Sequence, residues 1–174
     1  MIEDPTTEIE ALADTIAQQH AAYFVENPKG EIVQTCMIFA ASGEAHLIVC
    51  GWASAEERDA TIGALRMFIE ASGATRYAIW AETWFVRAEL PKGADPLAAA
   101  RKASRAYRPG SLAEHPDQIE AVMTLVVDAS GLKASRMQEI VRDRKGRVAS
   151  LKPMDSEAQI GGALAELLPR RSVH

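Results

Sequence analysis

The sequence predicts an α+β domain built on a mainly antiparallel sheet, and three observations point there. Arg76 to Arg87 is an almost wholly apolar run, rich in aromatic and β-branched residues, with one carboxylate, Glu82, in its middle. Before it, two stretches with helical apolar spacing enclose a pair of strand-like runs. After it, three strand-like runs follow one another across short turns. The expected order is helix, β-hairpin, helix, then a four-strand meander and a closing helix, giving N-terminal, central and C-terminal helices. At 174 residues the chain suits a single domain, 1–174, that buries roughly two thirds of its unfolded surface without a disulfide or metal.

The first helix is expected from Glu8 to Phe24. Ile9, Leu12, Ala13, Ile16, Ala17, His20, Ala21 and Phe24 fall on one stripe, and Thr7 with Glu10 has the spacing of a capping box. His20 on that stripe reads either as a base or ligand or as a part-buried side chain bonded to the next element. Asn27-Pro28-Lys29-Gly30 ends the helix, and Glu31 to Ala40 and Ala45 to Trp52 read as a hairpin around Ser42-Gly43. Its register decides whether the thiols of Cys36 and Cys50, which read as buried, are neighbours. Ser54 and Glu57 form a second capping box for a helix ending at Gly73, which has the position of a C-cap. The first and second helices are expected on one face of the sheet, through Ile16, Phe24, Leu65 and Phe68.

Along the central strand, Tyr77, Ile79, Ala81, Thr83 and Phe85 alternate with Ala78, Trp80, Glu82, Trp84 and Val86. Both sets are largely apolar, so the strand is expected inside the sheet. Residues 91–117 form an irregular insertion or lid, with a short basic helix starting at Asp95-Pro96 and carrying Arg101, Lys102, Arg105 and Arg108. Ile119 to Asp128, Lys133 to Arg142 and Val148 to Leu151 complete the meander. A last helix is expected over Ser156 to Leu168.

Composition excludes several functions. No apolar run approaches the roughly 20 residues of a membrane helix, and the acidic start Met-Ile-Glu-Asp-Pro is unlike a signal peptide, so a cytoplasmic location is expected. A net charge of -5 argues against a dedicated nucleic-acid binder. The charge is nonetheless segregated: residues 1–31 hold seven acidic groups against Lys29 alone, whereas residues 87–108 are mainly basic.

Chemistry has two places to reside. Glu82 between Trp80 and Trp84 would be desolvated and its pKa raised, as suits a general acid or base, or else it accepts a hydrogen bond that serves the fold. Glu114-His115-Pro116-Asp117 precedes the next strand, which carries Glu120, and Glu82, His115, Asp117 and Glu120 together could hold a hard divalent cation or position a water. No spacing matches an established metal, phosphate-loop or nucleophilic-serine motif.

Ala81-Glu82-Thr83-Trp84, the Pro-Gly-Ser-x-x-Glu-His-Pro-Asp segment from Pro109 to Asp117, and the following Gln118-Ile119-Glu120 resemble a loose group of uncharacterised bacterial and phage proteins with a Ser/Ala-Glu-x-Trp strand. That resemblance covers about residues 75–143 and implies only that these segments belong together. Two functions are carried forward. The first is a small non-catalytic binding or accessory protein, of phage or mobile-element type, whose Trp80/Trp84 face and basic residues Arg101, Lys102, Arg105 and Arg108 contact a protein partner or a second copy. The alternative is a hydrolase using Glu82, His115, Asp117 and Glu120, with or without a divalent metal.

Overall fold

The structure is a computed structural model that describes residues 5–86, 93, 95, 98, 114–154, 167 and 168. Helix α1 runs Pro5–Glu26, so it starts earlier than the Thr7/Glu10 spacing suggests and Thr7 lies within its first turn. Strands β1 (Thr35–Phe39) and β2 (Ala45–Val49) form the hairpin, and α2 (Ala55–Ala71) follows. The Ser54 cap is as expected: its hydroxyl accepts the Glu57 N–H at 3.1 Å, and Glu57 Oε2 accepts the Ala53 N–H at 2.6 Å. At the far end Gly73 adopts φ 59°, and the Ala74 N–H reaches back to the Ile69 carbonyl at 3.0 Å. Only a residue without Cβ takes that backbone turn without strain.

Strands β3 (Arg76–Val86), β4 (Gln118–Asp128), β5 (Lys133–Arg142) and β6 (Val148–Met154) build the meander. All six strands join one antiparallel sheet in the order β2-β1-β3-β4-β5-β6. The hairpin therefore docks on β3 through β1, leaving β2 and β6 as the two edges among the described residues. β3 is interior, as its two apolar faces require. The expected last helix and the short basic helix fall outside the described residues, apart from Asp95, Ala98, Leu167 and Leu168.

Helices α1 and α2 lie on opposite faces of the sheet, which corrects the expectation of one shared face. Ile62, Leu65 and Ile69 of α2 pack with Cys36, Ile38, Tyr77, Ile79, Leu125 and Val127. Ile9, Ala13 and Ile16 of α1 pack with Ala78, Val126 and Ala134, with Trp80 beside them. Those two strand sets alternate along β3 and β4, so they point to opposite sides. The reason is connectivity: α2 links β2 to β3 across β1, while α1 precedes the hairpin and is free to cover the other side. Phe68, expected in the core, is exposed. Fully buried Ile38, Ile69, Ile79 and Leu125 each stabilise the fold by roughly 1.5–3 kcal/mol.

Ion pairs fix α1 along its own face. Asp14 accepts from Arg136 Nε at 2.6 Å and Nη2 at 3.1 Å, and Glu8 accepts from Arg76. Part of the acidic excess in the first 31 residues is thus spent against basic groups of the sheet.

Candidate functional site

Glu82 stands on the α1 face of β3, opposite Val122 on β4, and Glu120 lies on the same face opposite Trp84. After α1 ends, the chain turns at Pro28, whose carbonyl accepts the Val148 N–H at 2.6 Å, and runs across this face. There the Ile32 N–H donates to Glu82 Oε1 at 2.6 Å. This is why β1 starts at Thr35 rather than at Glu31: the backbone of residue 32 is bonded to a side chain instead of a neighbouring strand. Ile32 also packs beside a cluster of Phe24, Val122, Ile140 and Val148. The clamp therefore closes one end of the α1 layer.

Burial is the main influence on Glu82 and raises its carboxyl pKa, with Glu120 and Glu31 pushing the same way and the Ile32 N–H and Arg142 opposing. Arg142 is the balancing charge, and the sequence did not single it out. Its Nε donates to Glu120 Oε2 at 2.8 Å, its Nη2 to Glu120 Oε1 at 2.5 Å, and its Nη1 to the Gly146 carbonyl at 3.2 Å. A two-pronged guanidinium–carboxylate pair is among the stronger polar contacts a protein makes. The signal was present in the strand pattern, since an even position on β5 shares a face with Glu82 once the register is known.

His115 and Asp117 lie in the turn that enters β4, where the Asp117 N–H donates to His115 Nδ1 at 3.1 Å and the Gln118 N–H to the His115 carbonyl at 3.1 Å. The structure thus brings Glu82 and Glu120 onto one face and gives His115 and Asp117 a turn of their own. Among the described residues no three His, Cys, Asp or Glu side chains form a group able to hold a metal ion. Trp80 is half-buried beneath α1, its ring 5.8 Å from that of His20, whereas Trp84 is exposed. The Trp face, expected to contact a partner, is covered by α1 as far as Trp80. Arg101, Lys102, Arg105 and Arg108 lie outside the described residues.

His20 is buried, and its Nδ1 has no hydrogen-bond partner among the described residues. Desolvation lowers its pKa to about 4. Cys36 and Cys50 are both buried free thiols in the α2 core, one diagonal step apart in the hairpin register. Burial pushes the Cys36 thiol up to about 12, which makes it an inert core side chain.

The surface contributes a feature that sequence reading passed over. Of the exposed large apolar side chains, Leu47 and Val49 belong to β2, Val33 lies just before β1, and Met67 and Phe68 belong to α2. Ala45 to Val49 contains no acidic group, lysine, arginine or proline.

No protein family, curated protein or solved structure matches this chain. No described helix is long and apolar enough to cross a membrane.

Proposed function

We propose that the chain is a small non-catalytic binding or accessory protein that acts through protein–protein contact, and that the contact is made at the β2 edge. The observation that carries this reading is the β2 edge, where Leu47 and Val49 are exposed on the α1 face and Phe68 of α2 is exposed beside His46 on the other. Exposed apolar groups scattered singly are ordinary; several together, beside an unpaired strand, are the usual mark of an interaction surface. Two of the three carboxylates considered for catalysis are engaged in holding the fold, Glu82 on the Ile32 N–H and Glu120 on Arg142. The Trp80/Trp84 face is the weaker contact surface because α1 already packs against Trp80.

A photo-crosslinking residue placed at Leu47, and a control at Lys152 on the opposite edge, tests this in the producing cell. Discrete protein adducts from position 47 and few from position 152 are expected. Adducts equally frequent at both positions, or none at 47, would overturn the reading.

A further inference from the structure

The backbone of β2 states what kind of surface it offers. The Cys50 N–H bonds to the Gln34 carbonyl at 2.8 Å and the Ala40 N–H to the Glu44 carbonyl at 2.9 Å. With the hairpin register, these assign Glu44, His46, Ile48 and Cys50 to the bonds with β1. Ala45, Leu47 and Val49 consequently direct their N–H and C=O groups outward. Leu47 and Val49 are 62% and 66% exposed, and their side chains lie on the α1 face of the sheet.

The other face adds a second observation. Phe68 of α2 stacks edge-on against His46 of β2 at 5.2 Å, which fixes the flank of α2 that overhangs this edge. At 100° per residue, Glu57, Thr61 and Ala64 share that flank with Phe68, whereas Ala60, Met67 and Ala71 point away from the sheet and Asp59, Arg66 and Glu70 lie on the opposite flank. Ala64 and Phe68 are exposed beside the edge.

We infer that the β2 edge pairs with that of a second copy of this chain, antiparallel about a two-fold axis at Leu47. The inference rests on the reading of this edge as a protein-contact surface and names its occupant. In that register Leu47 faces Leu47 of the partner subunit, and Ala45 faces Val49 of the partner subunit. Every outward N–H and C=O from 45 to 49 then meets an outward group, because outward residues are matched with outward residues. The same axis brings the Phe68 flanks of the two α2 helices toward each other on one face, and the Leu47 and Val49 side chains together on the other. Exposed Leu47, Val49 and Phe68 amount to roughly 300 Å² per copy, against the about 800 Å² that each partner of a stable interface contributes, so a weak, concentration-dependent dimer is expected. The opposite edge is built differently: β6 carries exposed Lys152 and Pro153, and its pairing with β5 shifts register at Val141/Arg142. Charge, proline and irregularity are the features that prevent edge-to-edge pairing, and β2 has none of the three.

The test is the mass in solution together with the register. Light scattering over a roughly hundredfold concentration range should show a dimer whose dissociation constant rises more than about tenfold in Leu47→Lys, with a melting midpoint equal to the parent's at concentrations where both are monomeric. Under mild oxidation Leu47→Cys should form an intersubunit disulfide, and Ala45→Cys and Val49→Cys should crosslink when mixed but not singly. A strict monomer, a dimer indifferent to Leu47→Lys, or efficient crosslinking of Ala45→Cys alone would overturn the self-pairing. If the chain is a monomer while photo-adducts at position 47 contain another protein, self-pairing fails and the contact reading stands. If position 47 yields no adducts at all, both fail together.

Discussion

The Glu82 end of the α1 face and the β2 edge invert the usual expectation about where function shows itself. At Glu82 the chain has half-buried charges between indoles, the pattern that suggests chemistry, yet each bonded group there holds one part of the fold to another. Ile32 is tied to β3, Glu120 on β4 to Arg142 on β5, and Arg142 to the turn at Gly146. At β2 the sequence is a plain Ala-His-Leu-Ile-Val, and there the molecule leaves apolar side chains and backbone groups facing solvent. The lesson is that a polar residue in an apolar setting asks first for a structural partner, while an ordinary strand becomes distinctive through what fails to cover it.

The largest expected effect lies at Arg142. Replacing it by Met leaves the Glu120 carboxylate, only 12% exposed, beside Glu82 without a counter-charge. Loss of one partner of a well-buried pair costs about 3–5 kcal/mol, and because Arg142 itself is part-exposed a loss of about 2–3 kcal/mol is expected by urea unfolding. Adding Glu120→Leu to Arg142→Met should restore much of it. A single variant as stable as the parent would remove the guanidinium from the account of this end of the sheet.

His20 comes next and concerns α1. Its folded pKa, about 4, lies below the ordinary histidine value of 6.5, so the folded state resists the proton that the unfolded chain accepts. The stability it permits is complete above pH 6.5 and is lost as the pH falls from 6.5 toward 4, by about 1–3 kcal/mol. His20→Leu should flatten that window, with a larger gain at pH 5 than at pH 7.5. Equal gains at the two pH values would show that protonation of His20 is not what the acid limb measures.

The smallest effect separates the two roles first weighed for Glu82. Burial raises its pKa, so the ionised form costs stability at neutral pH, and that cost disappears as the pH falls through the raised pKa. Glu82→Gln keeps an acceptor for the Ile32 N–H and should leave stability within about 0.5 kcal/mol of the parent, or raise it. Glu82→Leu orphans that N–H and should cost about 1–2 kcal/mol. Identical behaviour of the two variants would break the contrast between a carboxylate that holds the fold and one held ready for something else.

Much of this architecture could be read from local pattern. Ser54, Glu57 and Gly73 bounded α2 correctly because caps are satisfied by residues a few positions away. The length and two-sided apolarity of Arg76 to Val86 marked an interior strand, and the turns around Ser130 and Lys145 marked a meander. The start of β1 was misplaced because the bond that decides it joins Ile32 to a residue fifty positions later. The shared helix face was misplaced because an apolar stripe states that a helix must be covered, not by which side of a sheet.

By itself, then, the sequence determined the described elements and most of the residues they bury, Phe68 excepted, since periodicity and capping are local properties of the chain. Tertiary structure decided three further matters: that α1 closes the Trp80 side, that Glu82 meets Ile32 and Glu120 meets Arg142, and that β2 rather than β1 is left at the edge. Each depends on strand order and register, which are set by contacts between residues far apart in the chain. Alternation along a single strand fixes which residues share a face, and the neighbouring strand fixes what they meet there.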